Sequence, residues 1–179
     1  QVRKVFEQGR TGMTDKADPV RYSDNGLMFF ENGVYSLHSS SGETAQITVT
    51  GLPQEKSLTQ NTWDVYFPEG TGAPSEIRMT GLIPLQEHPD EGVRHFSGTA
   101  VYKTTFTLTQ NELEDNRLFI DLGRVYVIAS VKLNSHDLGI LWKTPYEADI
   151  TEVVKAGENV LEIEVANLWT NRLIGDAKK

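Results

Sequence analysis

Between Asn159 and Asn167 the chain reads NVLEIEVAN, a strict alternation that puts Leu161, Ile163 and Val165 on one side of a ribbon and Glu162 and Glu164 on the other. Only an extended strand repeats its side chains every two residues, so the pattern specifies a strand with one buried and one wet face. The same period recurs along the chain. It groups Leu118, Ile120 and Leu122 in RLFIDLG, and Val127, Ala129, Val131 and Leu133 in YVIASVKLN. It sets Trp63, Val65 and Phe67 against Asp64 and Tyr66, aligns Tyr102, Thr104, Phe106 and Leu108, and places Ala45, Ile47 and Val49 together in ETAQITVT. Sustained helical spacing is missing. DITEVVKAGEN supports one turn, capped by Asp149 or Thr151 and closed by Gly157 in the left-handed conformation, and TQNELED supports another.

Turn chemistry separates these strands. In LMFFENGVYSLH, Asn32-Gly33 lies between two apolar segments and predicts a two-residue type I′ hairpin, because that dipeptide readily supplies two positive φ angles. GLPQEKSLTQN then interrupts the pattern with Gly, Pro and polar residues. The expected organisation is an N-terminal hairpin and strand extension over 1–57, followed by a β-sandwich over 58–179. Many short strands with almost no helix argue for an all-β, antiparallel jelly-roll sandwich, a barrel being the alternative.

Composition removes several function classes. With 25 acidic and 17 basic residues, a formal charge of −8 disfavours nucleic acid, whose binding requires clustered Lys and Arg. There is no apolar run of roughly 18 residues to span a membrane, nor a basic segment leading into an apolar one as in a signal peptide. Because Gln1 is not Met, the chain is expected to begin after processing or at an engineered boundary. Zero cysteines exclude disulfides, thiolate metal sites and a Cys nucleophile.

Motifs for catalysis are equally scarce. Gly-x-Ser-x-Gly, a phosphate-binding loop, a dinucleotide fingerprint and His-Glu-x-x-His are all absent. The densest titratable cluster, EHPDEGVRH, holds Glu87, His88, Asp90, Glu91 and His95, but its spacing matches no metal signature, and Pro89 and Gly92 mark it as a solvated loop. No cofactor is expected. Asp115 with Asn116, or Asp121, has the oxygen chemistry for a structural calcium ion, although turn formation explains those residues equally well. Glycoside hydrolysis needs two carboxylates facing one another, and sequence cannot choose a pair among 25 acids.

An aromatic and polar set remains. Tyr126, Trp142, Tyr146 and Trp169 are interleaved with Arg124, Asn134, His136, Asn167, Asn171 and Arg172. Flat rings stack on the C–H faces of sugars while Asn and Arg bind hydroxyls directionally, so the set suits carbohydrate. The competing reading is that Trp63, Trp142 and Trp169 plug the core, and that NSHDLG is a polar hairpin turn.

Residues 123–176 resemble the sugar-binding, galactose-binding-like jelly-roll domain attached to family 2 glycoside hydrolases. The resemblance rests on Gly123, Asn134 with Leu138 and Gly139, Pro145 with Tyr146, Asp149 to Thr151, Lys155 with Gly157 and Asn159, and Asn167. Taken with GLMFFENGVYSL, WDVYFPEGTGAPSEIRM, HPDEGVRHFSGTAVYKTTFTL and LWTNRLIGD, residues 24–176 look like the C-terminal portion of family 106 glycoside hydrolases, the α-L-rhamnosidase-like enzymes. That resemblance implies a noncatalytic accessory sandwich that binds glycan or docks on an upstream catalytic barrel of the same parent enzyme. It also implies a bacterial periplasmic or secreted location, and at least one strand beyond NRLIGD that this chain lacks. The candidate face is Arg124, Tyr126, Asn134, Trp142, Tyr146, Asn167, Trp169, Asn171 and Arg172, with docking favoured for NLWTNRLIGD. A purely structural domain and an autonomous glycosidase are the alternatives.

Overall fold

The computed structural model describes residues 2–4, 19–23, 26–114, 116–125 and 128–167, and the chain divides into two compact units, Gln1–Glu55 and Lys56–Lys179. The first unit contains β1 (Val2–Lys4), β2 (Val20–Ser23), β3 (Gly26–Phe29), β4 (Gly33–His38) and β5 (Thr44–Val49). Strands β1, β4 and β5 form one antiparallel sheet in that order, and β2 pairs with β3 in another. The predicted hairpin at Asn32-Gly33 does not form. Its flanking strands pair elsewhere, Val20 with Phe29 and Gly33 with Val49, and neither Asn32 nor Gly33 takes a positive φ. Asn32 instead accepts the Leu52 N–H at 3.0 Å, and Phe29 packs on Tyr35 with ring centroids 4.8 Å apart. The local turn preference yields to strand partners on either side.

In the second unit, β6 (Thr62–Tyr66), β7 (Glu76–Thr80), β8 (Gly98–Leu108), β9 (Phe119–Asp121), β10 (Ile128–Leu133), β11 (His136–Leu141), β12 (Glu147–Asp149) and β13 (Gly157–Asn167) follow in order. Six of them form an antiparallel sheet, β11-β10-β13-β8-β6-β7. Its spine is the β8–β13 pair, 11 residues on each side in unbroken register from Leu108–Gly157 to Gly98–Asn167. Alternation does the rest. Trp63, Val65, Met79, Ala100, Thr104, Phe106, Ala129, Val131, Leu133, Leu161 and Ile163 are all buried, and the strand registers put them on one common face. Each large apolar side chain taken fully from water contributes roughly 2 to 3 kcal/mol, so this face holds the sheet in place.

The opposing layer is the short β9–β12 pair, with Ile120 opposite Ala148, both buried. Buried Ile150, Leu85, Val93 and Phe96 complete it. The architecture is thus all-β and antiparallel, with the second unit a sandwich and the first built of two small sheets.

Among the described residues, helix is confined to single turns, a 3-10 turn at Leu85–Glu87, α1 (Glu91–Arg94) and α2 (Gln110–Leu113). The α2 turn fulfils the expectation for TQNELED, since the Glu112 carboxylate accepts both the N–H and O–H of Thr109, at 2.7 and 2.8 Å. The α1 turn corrects the picture of EHPDEGVRH as only a solvated loop. Asp90 caps it by accepting Val93 N–H at 3.0 Å, and Val93 and Phe96 are fully buried, with Phe96 set edge-on to Phe67 at 4.8 Å. The single turn expected after Asp149 also forms: the Val153 and Val154 N–H groups both donate to Ile150 O, the Asp149 carboxylate accepts the Thr151 N–H and O–H at its start, and Gly157 has a φ of +90°.

The wet face of the sheet carries a ladder of alternating charge. Lys132, Glu162, Lys103, Asp64 and Arg78 are neighbours across β10, β13, β8, β6 and β7. Glu162 meets Lys103 at 2.7 Å and Lys132 at 3.5 Å, and Asp64 meets Arg78 at 2.6 Å. Opposite charges on adjacent strands favour this register over a slipped one.

Two outcomes follow from this packing. A Cβ on Gly92 would lie 2.0 Å from the Gly72 carbonyl oxygen, so Gly92→Ala should destabilise the unit by about 3 kcal/mol and lower its Tm by roughly 6 to 12 °C. Calorimetry would reveal an unchanged Tm if the 70–73 backbone yields freely. The Lys103 hydrogen bond holds the Glu162 carboxyl below its ordinary 4.5, against the upward push of burial. A depressed carboxylate stabilises the fold above the unfolded value and loses that contribution as pH falls through the folded one. Melts should therefore show Glu162→Gln under about 1 kcal/mol less stable near neutrality, with the gap closing below pH 4.5.

Candidate functional site

The two ends of the six-stranded sheet differ in chemistry. At one end β10 turns into β11 through Asn134 and Ser135, whose φ angles of +50° and +70° are those required by a two-residue primed hairpin. The geometry expected at Asn32-Gly33 occurs here instead. Asn134 Nδ2 donates to Val153 O at 3.0 Å and to Asn159 Oδ1 at 2.8 Å, and its Oδ1 accepts from Val160 N at 3.0 Å. Asn159 is fully buried; its Oδ1 also accepts from Lys155 N, and its Nδ2 donates to the carbonyls of Lys155 and Gly157. The two amides clasp the β10–β11 hairpin to the turn before β13. Asn134, a sequence candidate for sugar contact, thus has both its amide donors committed to the fold. Asn159 appeared in the sequence only as part of a turn motif, and burial is what reveals its weight.

Removing the Asn159 side chain leaves several backbone groups buried without partners. Asn159→Ala should lower the unfolding free energy by about 3 kcal/mol and Asn134→Ala by about 1 to 2 kcal/mol, as read from urea denaturation.

The other end lies roughly 20 Å away along the strands. There the register brings together the start of β10, the end of β11, the end of β13 and the start of β8. Four candidate residues sit at this end. Asn167 donates from Nδ2 to Phe96 O at 3.2 Å, which ties the last residue of β13 to the segment entering β8. Arg124 is exposed on the loop after β9, whose course is fixed by Asp121 accepting the Gly123 N–H at 2.8 Å and by a Gly123 φ of +63°. Tyr146, half-buried, accepts the Leu122 N–H on its carbonyl at 2.9 Å, so the two loops are joined. Trp142 is 66% exposed, and the Lys143 ammonium lies 5.4 Å from its ring centroid. Tyr126, Trp169, Asn171 and Arg172 fall outside the described residues.

The tryptophans therefore diverge. Trp63 is the core plug, 2% exposed, with Nε1–H donating to Leu58 O at 3.1 Å. Trp142 stands in solvent.

The acids give little sign of chemistry. In the second unit, Asp64, Glu112, Asp149 and Glu162 are all displaced downward. The Arg78 hydrogen bond lowers Asp64, and Thr109 with Lys56 holds Glu112 at about 2. At Asp149 burial pushes upward but is outweighed by Thr151 and Arg117. Such groups stay ionised near neutrality, whereas a proton donor in glycoside cleavage needs a raised value. In EHPDEGVRH, His88 Nδ1 accepts the Asp90 N–H while Arg94 donates to the carbonyls of His88 and Pro89. No group of three or more His, Asp or Glu among the described residues is arranged to hold a metal ion, and none of their helices is long and apolar enough to cross a membrane.

Residues 84–177 match the family described as "Glycosyl hydrolase 2 galactose-binding domain-like". A Formosa agariphila protein whose name assigns it provisionally to the beta-glucuronidases is 44% identical over 147 residues, covering 82% of this chain and 13% of that protein. The structure of a rhamnosidase from Novosphingobium sp. PP1Y superposes with a TM-score of 0.63 at 37% identity, over 79% of this chain and 16% of the other. A Ruminococcus gnavus beta-glucuronidase in complex with D-glucuronic acid shares the fold, with a TM-score of 0.50 and 22% identity over 63% of this chain and 22% of its own. The chain thus spans only about an eighth to a fifth of the lengths of these proteins. With more than half of its residues inside the match, this chain belongs to the glycosyl hydrolase 2 galactose-binding domain-like family.

Proposed function

We propose that this chain is the noncatalytic, carbohydrate-associated sandwich of a larger bacterial α-L-rhamnosidase-like glycoside hydrolase of family 106, periplasmic or secreted, working beside a separate catalytic domain. The observation that carries this reading is the likeness to the Novosphingobium rhamnosidase, which takes in 79% of this chain but only 16% of that one. The finer family assignment rests on the sequence resemblance of segments such as HFSGTAVY, which is core-forming in this fold. Phe96 is fully buried, a Cβ on Gly98 would lie 3.3 Å from the Phe96 ring, and Ala100 lies on the inner face. The downward-shifted carboxylates favour a role without bond cleavage. Candidate contacts to glycan or to the catalytic domain are Arg124, Trp142, Tyr146 and Asn167, together with Tyr126, Trp169, Asn171 and Arg172.

The test has two arms. The purified chain should release nothing from an aryl α-L-rhamnoside or an aryl β-glucuronide at saturating concentration. Deleting this segment from the parent enzyme should reduce turnover of a rhamnose-containing polymer far more than turnover of the aryl rhamnoside. Hydrolysis by the isolated chain, or full polymer turnover without it, would overturn the proposal.

A further inference from the structure

The described cations of the second unit are distributed unevenly. Lys56, Arg78, Lys103, Arg117 and Lys132 each meet a carboxylate, and Arg94 donates to two carbonyls. Among the described residues, the side chains of Arg124, Lys143 and Lys155 have no acidic partner. In a chain of net charge −8 such cations are conspicuous, because acids outnumber bases and most described bases of this unit are paired.

Two of these three cations share one end of the sandwich with the exposed Trp142. The Lys143 ammonium lies over the indole, 5.4 Å from the ring centroid, which leaves the opposite ring face open, and Arg124 lies on the loop joined to the Trp142–Tyr146 segment through Leu122 N–H and Tyr146 O. The hydrogen bond from Leu122 N–H to Tyr146 O extends the β9–β12 contact by one residue, and Arg124 follows two residues later on the loop so tied. Lys155 lies before β13, at the clasp end.

An indole left in water forgoes the gain of burial, and a flat ring face is the surface on which a pyranose stacks its C–H groups. A sugar lying on that face would place its substituents beside the Lys143 ammonium and within reach of the Arg124 guanidinium. Neutral hydroxyls gain little from two unpaired cations, whereas a carboxylate or sulfate on the ring would form charge-assisted hydrogen bonds with them. We infer that the loop end carrying Arg124, Trp142 and Lys143 is a binding site for an anionic saccharide, a uronate or a sulfated sugar, stacked on Trp142. This rests on the carbohydrate-associated reading above and adds the charge of the ligand.

Calorimetric titration of the whole chain with three hexasaccharides would test it: a galacturonate, a sulfated galactan and an uncharged galactan, each at low salt and near physiological ionic strength. At least one anionic probe should bind about tenfold more tightly than the neutral one, with affinity falling as salt rises. Which anionic probe binds identifies carboxylate or sulfate as the recognised group. Lys143→Gln and Arg124→Gln should each weaken anionic binding by about three- to tenfold and leave neutral binding unchanged, and Trp142→Ala should abolish all of it. All three positions are exposed, so unchanged melting curves will show the variants folded. Equal affinity for charged and neutral probes, or no effect of the two Gln variants, would overturn the charge inference while leaving the carbohydrate reading standing. If no saccharide binds but Trp142→Ala in the parent enzyme loosens this segment from the catalytic domain, Trp142 is a docking residue and the saccharide site is refuted.

Discussion

The unbroken pairing of β8 with β13 is the constraint on which the second unit depends. Two strands of 11 residues in perfect register fix which side chains face inward along both, and the rest of the large sheet grows outward from them, β10 then β11 on the β13 side and β6 then β7 on the β8 side. A slip of one residue would send Leu161 and Ile163 into water and Glu162 and Glu164 into the core. Burial of the apolar face forbids that, and the charge ladder on the wet face opposes it independently. Glu162 belongs to both arguments, because its register with Lys103 and Lys132 is the register that buries its neighbours.

The short β9–β12 layer covers this face with help from segments that are not strands. Val93 and Phe96 reach the core from α1 and its exit, and α1 approaches the 70–73 backbone closely because Gly92 has no side chain. A stretch rich in acids and histidines thereby becomes structural, its polar groups occupied in shaping the turn that delivers two apolar side chains.

Surface chemistry then divides along the length of the strands. One end is closed by the Asn134–Asn159 clasp, in which amide groups satisfy one another and the backbone around them, so a ligand would find few free donors there. The opposite end presents Trp142, Lys143 and Arg124 on loops whose backbones are pinned by Asp121 and by the link from Leu122 to Tyr146. Rigid supports under exposed side chains are what a contact surface requires, since little entropy is lost when a partner arrives.

Alternation makes the strands and their inward faces legible in the sequence: period alone puts Trp63, Val65, Ala129, Val131, Leu133, Leu161 and Ile163 on the side that the fold buries. That signal is local and physical, because a pleated chain can bury only every second residue. Pairing is not local, and here the chain's own hints failed. Asn32-Gly33 had the composition of a primed hairpin but its strands found other partners, while Asn134-Ser135 adopted that geometry because the amide network around Asn159 stabilises it. The same limit applies to the candidate face. Residue type made Trp63 and Trp142 equivalent, yet one fills the sandwich and the other stands in water, and Asn134 and Asn167 turned out to lie at opposite ends. Sequence set what each strand could bury; only the packing of distant strands settled which polar and aromatic groups remained uncovered, since solvent exposure is a property of neighbours that the chain brings together from far along its length.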